Sequence, residues 1–366
     1  MVRVLCIPLI VTAVVRVLGA TLLCSLFNVK GVVQTPWMQQ YGWNSISAST
    51  NWLWLFNAWD SFNFGFIVTQ GYHEPNYTYL PGYPLLIHLV TLITGNVWLA
   101  AFIATQIFAA ASIIMFQLTA EIYLPRREAL YSTLIMATFP YVFIFTALSY
   151  SEPVFFFSTI AAWYFYKKRK LSLSTILVGL ATLTRIYGIL ILLPVFLSMK
   201  KARKVNAYYF ITPVVALAAW GFYCLITVGN VLASLAEEGT WVQTGINYGL
   251  VPSIVYQGLR GIVMCCTGPP NNNFDPALLI AVALLPFLIV RISNIDRSLL
   301  AYSATLFGML ILTAPVMSLL RYDSFVFPIW LTVGVKNSWA VILCMALFVP
   351  LSLVLWYYAL TRYFIG

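Results

Sequence analysis

Charge is what this sequence lacks most. Only 8% of its 366 residues are Asp, Glu, Lys or Arg, against about 25% in an average soluble domain. So little charge cannot cover the surface of a folded soluble chain of this size, which excludes a soluble globular enzyme, a disordered chain and a nucleic-acid-binding domain. Histidine is nearly missing, with two residues, and the six cysteines form no C-x-x-C pair and sit mostly in apolar runs. A zinc site is therefore not expected. No glycine-rich phosphate loop is present. Neither is a repeat of roughly 20–50 residues, nor the two matching halves that many transporters show. What abounds is apolar: 61% of residues are hydrophobic, 16% are aromatic, and the mean hydropathy is +0.89. That is the composition of a chain that lives in lipid, where 18 Pro and 20 Gly are tolerated better than in soluble helices. The net charge of +10 has a membrane explanation too, because Lys and Arg gather in short loops between apolar runs.

The first apolar run, about 4–26, follows Arg3 and contains Arg16. It is long and lacks a small-x-small cleavage site, so it reads as a retained helix rather than a signal peptide. Residues 27–80 form a polar-aromatic stretch holding Trp37, Trp43, Trp52, Trp54 and Trp59. Apolar runs follow at about 81–94, 97–119, 128–148, 153–166, 171–184, 186–199 and 205–228. After a second non-membrane stretch, 229–276, come 277–291, 298–318, 323–335 and 339–361. At about 20 residues per span the total is ten to twelve spans in an all-α polytopic membrane protein.

Charge supplies the orientation. Basic residues cluster at Arg126 and Arg127, at 167–170 (Lys-Lys-Arg-Lys), at Lys200, Lys201, Arg203 and Lys204, and at Arg291 and Arg297, with Arg3 and Lys336 outlying. These loops are expected on the cytoplasmic side. Asp60, Glu74, Glu152, Glu237, Glu238, Asp275 and Asp323 fall between them, and Glu121, Glu128 and Asp296 go with the basic side. Two basic clusters flank 171–199, so that segment must enter and return. It reads as two short helices turning between Thr184 and Arg185, with Arg185 at the extracytoplasmic tip. The bland alternative is one tilted helix with Arg185 snorkelling, which would put one cluster on the wrong side. A charge in mid-span usually faces a polar cavity. Segment 81–94 reads as a partial, re-entrant helix.

Residues 57–88 carry the chemistry. Asp60 follows Trp59, Glu74 comes fourteen residues on within Gly71-Tyr72-His73-Glu74, and Pro81-Gly82-Tyr83-Pro84 opens the next apolar run. Two carboxylates in a loop abutting lipid are costly unless solvated or functional, although Asp60 alone would also suit a helix N-cap. The pattern of Trp59, Asp60, Ser61, Phe64, Ile67, Gly71, Tyr72, Glu74, Asn76, Tyr79, Pro81, Gly82, Tyr83 and Pro84 resembles the first-loop signature of the PIG-V family. That family comprises GT-C type mannosyltransferases, best known for adding the second mannose in GPI-anchor synthesis. Ser151-Glu152-Pro153 resembles the family's S-E-x-x-F stretch. Residues 181–188 (Ala-Thr-Leu-Thr-Arg-Ile-Tyr-Gly) resemble its A-T-x-T-R-x-x-G stretch. Arg321-Tyr322 with Pro328 is similar to an Arg-Tyr pair near the last spans of GT-C enzymes.

The resemblance implies a GT-C-like bundle with a long first extracytoplasmic catalytic loop, 27–80, and a second loop, 229–276. It implies a glycosyltransferase that moves mannose or a related hexose, with inversion, from a polyprenyl or dolichyl phosphate to a lipid-linked glycan or glycolipid. No nucleotide sugar and no nucleic acid is handled, and membrane lipids surround the enzyme. The implied location is the plasma membrane or endoplasmic reticulum, with the active site on the extracytoplasmic or luminal face. Inverting attack needs one carboxylate to accept the acceptor's proton, and Asp60 is the candidate. The leaving lipid phosphate needs cationic donors; Arg185, Arg321 and His73 are the candidates, His73 reading equally as a loop histidine. Glu74, Trp59, Tyr72 and Glu152 are candidates for acceptor or sugar, Trp and Tyr competing with the interfacial belt. A divalent cation, Mg or Mn, would fall to Asp60 and Glu74. The sequon at Asn76 is expected unmodified, Cys265 and Cys266 unpaired, and Glu237, Glu238, Asn271, Asn272 and Asn273 part of a solvated loop. Two other readings stand beside this one: a transporter or flippase of lipid-linked sugars, and a protein O-mannosyltransferase.

Overall fold

A computed structural model describes residues 2–27, 52–74, 76–201, 208–237, 291–292, 294–313 and 318–360. Most of the second loop, all but the last residue of the run 277–291, Trp37, Trp43, Glu238, the vicinal cysteines and the three asparagines therefore lie outside the described residues. Within them the chain is helical and holds no strand. The helices are α1 (Val2–Phe27), α2 (Asp60–Gln70), α3 (Gly82–Thr94), α4 (Val97–Tyr123), α5 (Arg126–Thr138), α6 (Pro140–Ala147), α7 (Glu152–Lys167), α8 (Leu171–Thr184), α9 (Leu192–Lys201) and α10 (Tyr208–Val228). They continue with α11 (Arg297–Thr313), α12 (Leu319–Asp323), α13 (Pro328–Leu331) and α14 (Ser338–Leu360).

Four of these helices are long and apolar enough to cross a membrane: Cys6–Ser25 within α1, then α4, α10 and α14. The consecutive α5 and α6 make a fifth if counted as one broken span, bent by 65°. The break has a cause, since Pro140 cannot donate to the preceding turn and restricts Phe139, so α5 ends and α6 starts anew with proline in its first turn. The expected count of ten to twelve extends over segments that are too short here or lie outside the described residues. The chain is an integral membrane protein by these spans. On α1 the sides are legible: Ile7, Ile10, Val14, Val17, Leu18 and Leu22 are exposed, while Thr12, Arg16 and Leu23 are buried. An apolar face open to lipid and a polar residue turned inward is the membrane arrangement. Arg16 reaches Gln106 Oε1 at 2.7 Å and the Thr146 hydroxyl.

The core is a layer of helices around α7, which packs on α4 and α8, while α10 packs on α8. Helix α3 lies on α4 and α8, and α2 lies on α3 and α4. With 13 residues α3 is a short apolar helix, in keeping with the partial helix expected. At the end of α8 the chain breaks as expected at Arg185, which is extended (φ −149°). The following turn, Ile186–Ile191, folds back on α8: a Cβ on Gly188 would stand 2.2 Å from the Ala181 carbonyl carbon. Gly82 is equally constrained, its Cβ position lying 2.8 Å from the Leu183 carbonyl carbon and the Thr184 nitrogen. Two glycines thus clamp the last turn of α8 at backbone contact.

Residues 52–74 and 76–80, expected as loop, are structured. Trp52–Phe56 is a 3₁₀ turn, α2 is helical, and Asn76–Thr78 is a second turn. Two indoles tie this stretch to the last helix: Trp356 Nε1 donates to Leu55 O at 2.8 Å, and Trp59 Nε1 to Ala359 O at 3.1 Å. Glu237, expected in a solvated loop, accepts hydrogen bonds from the backbone N–H groups of Tyr77 and Thr78. Burial raises its carboxyl above the ordinary value despite those bonds, and Glu74 adds to the rise.

Candidate functional site

Asp60 is placed by a tight turn. Ser61 N donates to Ala58 O at 3.1 Å, and Ala58 N donates to Ser61 Oγ at 3.2 Å, so the serine closes the turn from both ends. Trp59 sits inside it at φ 52°, ψ −115°. A bulky residue with positive φ is strained by about 1–3 kcal/mol, and its indole bond to Ala359 helps hold it there. The turn makes Asp60 the first residue of α2, with its backbone N–H donating to the Tyr150 hydroxyl at 3.3 Å.

Three further charged residues converge on it from distant segments. Arg321, on α12, donates through Nη2 to Asp60 Oδ2 at 2.8 Å and through Nε to Glu152 Oε1. Glu152 opens α7, and its Oε1 also receives Arg185 Nη2 at 2.7 Å. Arg185 additionally reaches Ser151 Oγ at 3.2 Å. Aromatic faces line both guanidinium groups: Arg321 lies 4.7 Å from the Phe145 centroid, 4.6 Å from Tyr150 and 5.3 Å from Tyr322, and Arg185 lies 4.7 Å from Tyr322. Such faces stabilise cations most where water is excluded.

Two carboxylates and two guanidinium groups make the cluster neutral, which is how buried charge is tolerated. Exposure grades along it. Glu152 is 1% exposed and Arg321 3%, whereas Arg185 is 16% and Asp60 22% exposed. The centre is sealed and the ends are open, a carboxylate at one and a guanidinium at the other. The Nε of Arg185 is buried without a hydrogen-bond partner, so this residue keeps unused donor capacity.

Of the residues marked by the sequence, the structure brings together Asp60, Glu152, Arg185 and Arg321. Trp59 adjoins them through the turn. Glu152 is sealed and spent on the two arginines. Tyr72 packs its ring on Trp220 at 4.8 Å and donates its hydroxyl to Tyr79 O at 2.9 Å, so it supports the loop. His73 and Glu74 are exposed and contact none of the four charged groups. His73 Nε2 donates to Gln70 O at 3.0 Å, at the end of α2 opposite Asp60, roughly 15 Å along the axis at 1.5 Å per residue. Among the described residues no three His, Cys, Asp or Glu side chains group as a metal site.

Sequence reasoning missed Tyr79, Asn63, Tyr150 and Tyr322 as neighbours of the charges. Tyr79 and Tyr322 stood inside quoted motifs, and Asn63 is three residues from Asp60 on one helix, a spacing that puts both on one face. No signal in the sequence marks Tyr150 beyond its place two residues before Glu152.

No curated protein matches the chain. Residues 33–238 match the mannosyltransferase (PIG-V) family, a segment that holds Asp60, Glu152 and Arg185 and stops short of Arg321. With more than half of its length inside that match, which holds three of the four charged residues gathered at the site, the chain belongs to the PIG-V mannosyltransferase family and is a membrane-embedded glycosyltransferase.

Proposed function

We propose that the protein transfers mannose, with inversion, from a polyprenyl-phosphate donor to a lipid-linked glycan or glycolipid on the extracytoplasmic face. The observation that carries this reading is the graded charge cluster, with a carboxylate and an arginine at its two accessible ends. In the reaction an acceptor hydroxyl bonds to the sugar's anomeric carbon as the bond from that carbon to phosphate breaks. The hydroxyl proton passes to Asp60, and the bonding electron pair leaves with the lipid phosphate. Arg321 holds Asp60 in place and fixes its distance from the sealed Glu152. Arg185 meets the phosphate, whose charge grows in the transition state, so its contact strengthens when it matters. The sidedness rests on charge: α7 carries Glu152 at one end and Lys167 at the other, about 22 Å apart by helix geometry.

The test is Asp60→Asn in the purified full chain, assayed with polyprenyl-phosphate mannose and a lipid extract as acceptor. Asparagine keeps the size and cannot take the proton. The expected result is a loss of at least about 10²-fold in turnover with the fold retained. Near wild-type turnover removes Asp60 from the chemistry. Mannose recovered in protein rather than in the organic phase overturns the lipid acceptor.

A further inference from the structure

Arg321 is not the only group that holds the Asp60 carboxylate. Asn63 Nδ2 donates to the Tyr79 hydroxyl oxygen at 2.9 Å, and that hydroxyl lies 3.2 Å from Asp60 Oδ1. A phenol has one proton to give. With its oxygen accepting from Asn63, the proton is left for Asp60. Tyr79 is itself held on two sides. Its ring meets Phe64 edge-on at 5.1 Å, and its backbone carbonyl accepts from Tyr72. Burial, and then the charge of Asp60, push the phenol well above its ordinary pKa, so it remains a donor.

Each carboxylate oxygen therefore has one fixed donor of a different kind. Oδ2 faces a guanidinium at 2.8 Å and Oδ1 faces a neutral hydroxyl. A proton arriving at Oδ1, which has no charged partner, leaves the ion pair of Oδ2 with Arg321 intact.

We propose that Tyr79, aimed by Asn63, is the positioning residue of the base: it fixes the rotation of Asp60 so that a free lone pair of Oδ1 receives the acceptor's proton. The proposal rests on the reading of Asp60 as base. The groups facing Asp60 are Arg321 from α12, Tyr79 from the turn before α3, and Tyr150 from the segment before α7, with Glu152 acting through Arg321.

The experiment compares Tyr79→Phe, Asn63→Ala, their double variant and Asp60→Asn, each as full-length purified protein with polyprenyl-phosphate mannose. Tyr79→Phe is expected to lower kcat about tenfold, the cost of one hydrogen bond to a charged group, with donor KM within about twofold. The acid limb of its pH profile moves to higher pH, because a donor to the charged form has gone. Asn63→Ala moves both readouts the same way by less. The double variant is no worse than Tyr79→Phe, since Asn63 works through Tyr79. Additive losses, an unmoved pH profile, or a fall in Tm with kcat per folded molecule unchanged overturns the proposal. The two readings fail separately. Activity surviving in Asp60→Asn sinks the base itself, while an inactive Asp60→Asn beside a wild-type Tyr79→Phe sinks the positioning role alone.

Discussion

Arg185 has two claims on it. It is ion-paired to Glu152 at 2.7 Å, and it keeps an unpartnered Nε and 16% exposure. A guanidinium can serve a carboxylate and a phosphate together because its donors form a planar fork, which an ammonium does not copy. Arg185→Lys is therefore expected to lower kcat at least about tenfold while raising donor KM less. Thermal stability measured on the same sample separates the roles: a lower Tm with kcat per folded molecule unchanged makes Arg185 a packing residue. Asp60 and Arg185 were legible in the sequence because a charge in an apolar context stands out, whereas Glu152 and Arg321 were marked only by the resemblance of the stretches that hold them. The pairing among the four was not legible. Glu152 reads as a sugar ligand until its burial is known, and Arg321 lies 261 residues from Asp60, a distance across which no local pattern carries information.

At the scale of the element, the last turn of α8 decides where Arg185 stands. Gly188 N donates to Arg185 O at 2.8 Å, and Gly188 and Gly82 both approach the α8 backbone too closely for a Cβ. Gly188→Ala would force a carbon against the Ala181 carbonyl, and overpacking of that kind costs about 1–3 kcal/mol. The expected outcome is a lower Tm together with a loss of kcat, because relief of the clash shifts Arg185. Gly179→Ala, on α8 itself, whose carbon would meet Thr212 at 3.4 Å, is the milder comparison. The break between Thr184 and Arg185 was legible from flanking charge alone. Helix α2 was hidden, since Asp60, Asn63, Gly65 and Thr69 dilute its apolar positions and make it read as loop. Its packing against Trp98, which already meets the Cβ position of Gly65, is tertiary and leaves no mark in composition.

Across the whole molecule the two ends of the bundle carry different charge. Opposite the site, Lys167 Nζ donates to Asp296 Oδ2 at 2.9 Å, with Tyr123 on the same oxygen at 3.2 Å and Ser298 N on Oδ1 at 2.8 Å. Burial alone would raise the Asp296 carboxyl; Lys167 and these donors outweigh it and hold it below its ordinary value. A lowered folded pKa means stability that is present above the unfolded value and lost as pH falls through the folded one. Asp296→Asn should cost about 1–2 kcal/mol at neutral pH, seen as a lower Tm. The gap to wild type should close as pH drops below about 4. The charge map grouped Asp296 with the basic clusters, and its contact with Lys167 agrees. Cysteines beside Asp60, Glu152 and Arg321 should all label from the extracytoplasmic side, and one within 167–170 only from the cytoplasm. Opposite labelling of the Asp60 and Glu152 neighbours would break the sidedness. The number of spans was the least legible feature, because helices such as α3 and α8 are apolar enough for lipid yet too short to cross it.

The paired indoles that join Leu55 and Trp59 to Trp356 and Ala359 also set an order of events during synthesis. A ribosome adds roughly 5–20 residues per second, so Asp60 is made some 13–50 s before Arg321 and longer before Trp356. Through that interval the carboxylate lacks its guanidinium, and the turn at Trp59 lacks the carbonyl that holds its positive φ. The charge cluster and the strained turn are thus completed late, when α14 has closed on the segment that carries Leu55 and Trp59.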